Sequence, residues 1–243
     1  DAAKIHGFNL YIVRALFWIV FLTGIVDATL AVMRVEGLLG FFFEQATVRE
    51  FTRSAFVAPI FHFPLIVSGF VIAAFTRTLG FTWLALLIVA SELLIVFTRF
   101  IFSYEQALMG DLVRYWYAAL FLFASAYTLY DDGHVRVDII YAGRSSRTKG
   151  KLNAIGSIML GLVTVWTILI IGMSGKTSII NAPIVNLEIT QTGANGMFIK
   201  YQMAAFLAIF AATMIIQFVS SLFEAVADSR DEPGKRDNVA AAH

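Results

Sequence analysis

The sequence predicts an all-α integral membrane protein with about six transmembrane helices. Two observations carry that expectation. Of its 243 residues, 59% are hydrophobic and only 14% charged, and the mean hydropathy is +0.77. A water-soluble domain has about 25% charged residues and is about 45–50% apolar. Six runs also approach the roughly 20 apolar residues that a spanning helix needs. They cover 10–33, 56–75, 81–102, 112–129, 152–171 and 197–223. The net charge of +1 gives no basic surplus for nucleic acid and no acidic tail. With no Cys there is no disulfide, thiolate catalysis or Cys-based metal site. No cleavable signal pattern shows at the start, where Asp1 opens a short polar lead.

The first run carries Asp27. The connection after it, 34–54, mixes Phe runs with charge. On a helical wheel Arg49 and Arg53 fall on the side of Leu38 and Phe42, so this segment is expected at the membrane interface. The second run holds Pro59, His62 and Pro64. Each proline removes a backbone donor, which favours an irregular or kinked start to that helix. The alternative is that one of the first two runs lies in the interface, leaving five spans. "TRTLG" then makes a tight helical hairpin into the third run, which has Glu92 near its middle. Arg99 follows about 10 Å further along the axis, at 1.5 Å per residue. The fourth run is the shortest. Tyr115, Trp116 and Tyr117 lie together near its start, as in an aromatic belt at headgroup depth.

The densest polar cluster follows, "YDDGHVRVDIIY". Gly133 suits a left-handed helix end. His134, Arg136 and Asp138 alternate with valines, so an extended backbone places them on one face. Arg136 between Asp132 and Asp138 suits a fork of hydrogen bonds. The plainer alternative is a solvated turn with routine ion pairs. Next comes "GRSSRTKGK", four cations without an acid. By the positive-inside rule this loop sets the orientation, with both termini in the cytoplasm. In the fifth run Ser157 and Gly161, and in the last run Ala204, Ala208 and Ala212, recur at the spacing of close helix packing. Gln217, Ser220 and Glu224 continue the last helix with groups suited to bonding a neighbour. The loop 172–196 is rich in Gly, Asn and Thr, and the tail 229–243 is polar and expected to be disordered.

Enzymatic chemistry finds little support. The His residues are His6, His62, His134 and His243, and only His62 lies in an apolar run. That speaks against a bis-His haem. No paired-His metal spacing, phosphate-cradling glycine loop or nucleophile triad is present. The expectation is a non-catalytic protein without cofactor or metal. Asp27 and Glu92 are more informative, because a charge at the bilayer centre costs about 2.5–3.5 kcal/mol on insertion scales. They must face protein, water or a partner helix. One reading is a proton or ion relay; the other is a pair of hydrogen-bonded packing residues.

From about residue 81 to 228 the sequence resembles the small permease (DctQ-like) subunit of tripartite ATP-independent periplasmic (TRAP) transporters. "YTLYDDGHVRVDIIY" is close to the family's Gly-His-[Val/Ile]-Arg-Val-Asp signature. "VFTRFIFSYEQALMGDLVRYWYAALFLFASAYTL" resembles the end of its first core helix and the start of its second. "RSSRTKGKLNAIGSIML" resembles its basic loop and third core helix. The resemblance implies a four-helix core over 81–228. About two additional helices in 1–80 extend it beyond short family members. It also implies a bacterial inner-membrane subunit packed on a large permease, which moves an organic acid delivered by a periplasmic binding protein and driven by an ion gradient. Arg99, Gly133, His134, Arg136 and Asp138 carry over as motif positions, assigned to structure and subunit contact. The competing expectation is a small-subunit-like protein recruited as a structural component of another membrane assembly, respiratory or photosynthetic. A stand-alone channel or carrier using Asp27 and Glu92 is the third.

Overall fold

The structure, a computed structural model, describes residues 2–130, 141, 143–190 and 193–232. Eight α-helices are described: α1 (Ala2–Val35), α2 (Gln45–Glu50), α3 (Ser54–Phe75), α4 (Phe81–Phe102), α5 (Ala107–Tyr130), α6 (Ser146–Gly172), α7 (Asn181–Val185) and α8 (Lys200–Arg230). Among the described residues, α1, α3, α4, α5, α6 and α8 are long and apolar enough to cross a membrane. The protein is a multi-pass membrane protein with the predicted six spans. The segment between α1 and α3 does not span. It folds as a 3₁₀ turn (Leu38–Phe41) and the short α2.

Helices α1 and α6 begin earlier than hydropathy suggests, for physical reasons. The first two turns of α1 carry His6 and Asn9, both buried against α8. His6 Nδ1 lies 3.4 Å from Gln217 Oε1, and Asn9 Nδ2 donates to the Thr213 carbonyl at 3.3 Å. A neighbouring helix satisfies these groups, so α1 continues through them. The basic stretch expected as a loop is instead the first turn of α6. Ser145 caps that turn by accepting the Thr148 N–H at 3.4 Å. Gly150 lets the turn lie flat on α8, since an added Cβ would stand 2.6 Å from the Ala225 carbonyl oxygen.

Helix α1 occupies the centre. It packs against α3, α5 and α8; α6 packs on α8, and α4 mainly on α5. Leu16, Phe17, Ile19 and Val20 of α1 share one hydrophobic core with Leu84, Tyr115, Trp116, Phe123 and Phe206. Each of these pairs is antiparallel, while α5 and α8 run parallel. Near its start, α1 meets the end of α3 through Arg14, which donates to the Thr76 carbonyl at 2.7 Å and the Ala73 carbonyl at 3.3 Å. The carbonyls at a helix C-terminus carry partial negative charge, so they hold this cation inside the bundle. The start of α1 and the end of α8 lie on one side, the terminal face; segments 36–53, 173–190 and 193–199 lie on the opposite loop face.

One packing expectation changes. Tyr115 and Trp116 are not belt residues. Both are buried, and Trp116 Nε1 donates to the Val20 carbonyl at 3.2 Å over Gly24, where an added Cβ would strike the indole. Tyr117 alone of the three is exposed. In the alanine stripe of α8, Ala204 and Ala208 are half-buried and Ala212 is exposed. The polar residues buried on α8 are Gln202, Thr213, Gln217 and Ser220. Gly161 behaves as expected, because a Cβ there would meet the Phe218 ring at 2.5 Å.

Candidate functional site at a buried polar junction

Helices α1, α3, α5 and α8 converge toward the loop face on a cluster of polar side chains. Helix α3 reaches it through an irregularity. Pro59 and Pro64 each lack an N–H, and the backbone between them widens into a π turn over Ala58–His62. This turn points His62 inward, with none of its surface exposed. Its Nε2 lies 3.2 Å from Asp27 Oδ1 on α1, and its Nδ1 lies 2.7 Å from the Tyr201 hydroxyl on α8.

The hydrogen bonds run in one direction. Tyr115 on α5 donates to Gln202 Oε1, and Gln202 Nε2 donates to the Tyr201 oxygen at 3.2 Å. With His62 protonated on Nε2, Tyr201 donates to its Nδ1 and its Nε2–H donates to Asp27. A neutral imidazole protonated on Nε2 satisfies every member of this chain. Asp27 Oδ2 accepts the Phe198 N–H at 2.6 Å. Arg34, two turns further along α1, stacks over the Phe198 ring at 3.9 Å and donates to the Gly196 carbonyl at 2.9 Å. Asp111 of α5 accepts the neighbouring Met197 N–H at 3.1 Å and meets Arg114 at 3.3 Å.

Two carboxylates from two helices therefore hold successive backbone amides just ahead of α8. Met197, Phe198 and Ile199 are wholly buried. Negative groups before a helix N-terminus also suit its dipole. Chemically, the junction holds the helices in register: its acid and imidazole are fully engaged with protein groups.

Of the intramembrane acids picked out in the sequence, Asp27 lies in this junction and Glu92 does not. Glu92 is on an exposed face of α4 and makes no hydrogen bond or ion pair among the described residues. The two acids are not brought together. Arg99 is exposed and pairs with Glu105 Oε2 at 3.3 Å in the turn after α4. Gly133, His134, Arg136 and Asp138 lie outside the described residues. The sequence reading did not single out Arg14, Asn9, Asp111 or Gln202. The available signal was that each is a polar residue within or beside an apolar run, where lipid offers no hydrogen-bond partner.

The family model for "Tripartite ATP-independent periplasmic transporters, DctQ component" matches residues 86–228, from within α4 to near the end of α8. No curated protein and no solved structure matches the chain. The family match covers well over half the chain and four of the six spans, and on that ground the chain belongs to the DctQ family, the small permease component of TRAP transporters.

Proposed function

We propose that the protein is a non-catalytic scaffold for the large permease subunit of a TRAP transporter. In this reading, the large subunit moves an organic acid that a periplasmic binding protein delivers, and an ion gradient drives uptake. The family match over 86–228 carries the proposal. The junction supports it, since Asp27 and His62 are occupied in joining helices rather than arranged along a path. The terminal face is the cytoplasmic one, because Arg144, Arg147, Lys149 and Lys151 cluster there without an intervening acid. The protein resides in the bacterial inner membrane. Gly133, His134, Arg136 and Asp138, with Arg99, serve structure and subunit contact.

The test is reconstitution. Proteoliposomes carrying the large permease and this chain, supplied with loaded binding protein, should take up substrate under an ion gradient. Omission of this chain should abolish uptake, and this chain alone should give no flux. Full uptake without it would overturn the scaffold role. Flux by this chain alone, lost in Glu92→Gln, would favour a stand-alone carrier.

A further inference from the structure

We propose that the outward face of α4 around Glu92 receives a transmembrane helix of the large permease, and that this helix brings a cationic or hydrogen-bond-donating side chain to the middle of the bilayer. The proposal rests on the small-subunit reading above.

Glu92 lies about 16 Å along the axis from Phe81 and about 15 Å from Phe102, at 1.5 Å per residue. A hydrocarbon core of about 30 Å puts it near the midplane. Its side chain is exposed on this chain. A carboxylate facing lipid at that depth is costly, and such residues almost always meet protein or water. The neighbouring positions on the same stripe are Ala85, Val89 and Val96, which offer no donor. Arg99 is one heptad further, but its guanidinium is drawn to Glu105.

Comparison with the other buried or exposed groups singles out this face. Asp27 is fully hydrogen-bonded inside the bundle, and Asp111 near the start of α5 meets the Met197 N–H and Arg114. Helix α6 is as exposed as α4, yet its outward Thr167 hydroxyl donates to the Val163 carbonyl of its own helix at 2.7 Å and needs no partner. Glu92 is left with a demand that this chain does not meet. A second copy of the chain in a symmetric pair would set one Glu92 against another, which is like charge on like. Lipid supplies no donor at the midplane. A partner helix with a cation or strong donor satisfies the carboxylate, and Ala85 with the flanking valines leaves room for its approach.

The test uses dicyclohexylcarbodiimide, which modifies carboxyl groups within membranes, with peptide mapping of the labelled chain. The purified chain in nanodiscs should be labelled at Glu92, and the complex with the large permease should be protected there. Glu92→Lys should cut the copurified permease by more than about tenfold, through like-charge apposition, while Glu92→Gln should retain it. The elution profile of each variant alone checks that it folds. Equal labelling with and without bound permease would overturn this docking face and leave the small-subunit reading intact. Protection in the isolated chain would assign the face to a second copy and overturn the proposal. Wild-type chain that captures no permease at all would overturn both.

Discussion

His62 Nε2 stands 3.2 Å from Asp27 Oδ1, and both side chains are wholly buried. This contact joins two helices that precede the family-matched region. Through Tyr201 and the Phe198 amide it then fastens both to α8, which lies largely inside that region. The extension is therefore not an appendage, because α1 contributes to the core on which the matched helices pack.

Removing the acceptor should loosen that union. Asp27→Ala leaves the His62 Nε2–H and the Phe198 N–H buried without a partner, at about 1–3 kcal/mol for each unsatisfied group. The thermal midpoint in detergent should fall, and amide exchange at 197–199 should accelerate. Asp27→Asn keeps an acceptor oxygen and should lose less. An unchanged midpoint and exchange rate in Asp27→Ala would contradict the role of the junction.

Two glycines of α6 make a matched pair. Gly150→Ala places a methyl group 2.6 Å from both the Ala225 oxygen and the Ser229 nitrogen, which are backbone atoms that must shift. Overpacking of this kind costs about 1–3 kcal/mol. Gly156→Ala meets nothing within 4 Å, and should stabilise the helix by up to about 1 kcal/mol from propensity. Unfolding midpoints that move in opposite directions are the expected result.

The turn after α4 carries a pH-sensitive tie. Tyr104 donates to Glu36 Oε1 at 2.5 Å, and this hydrogen bond, with a smaller part from burial, raises the phenol above its ordinary value of 10.0. A raised folded-state value favours the protonated form. The tie therefore contributes fully below the free-tyrosine value and is lost as pH rises through the folded one. In a spectrophotometric titration, subtracting the Tyr104→Phe curve should reveal a late-ionising tyrosine. Glu36→Gln should move that ionisation to lower pH.

The signature positions are tested by substitution. Arg136→Ala and Asp138→Ala should each weaken copurification with the large permease and reduce ion-driven uptake. Complete assembly and uptake in both variants would remove these residues from subunit contact.

Much of the fold was legible because lipid enforces a simple rule: long apolar runs must be helices. The proline pair also announced the irregular start of α3. The depth and facing of polar residues were less legible. Tyr115 and Trp116 look like headgroup anchors by composition, but their partners Gln202 and the Val20 carbonyl lie far away in the chain. Asp27 was visible as a costly acid. That it meets His62 depended on a π turn, which hydropathy does not encode. The helical start of the basic stretch combined a local Ser145 cap with Gly150 fitting against α8, a tertiary contact that hydropathy does not encode.

The most direct test of the central claim is purification of the native protein from its own membrane in mild detergent, followed by quantitative mass spectrometry. A large TRAP permease should copurify in stoichiometric amount, with the periplasmic binding protein captured when substrate is present. Stoichiometric respiratory or photosynthetic subunits without any large permease would contradict the account.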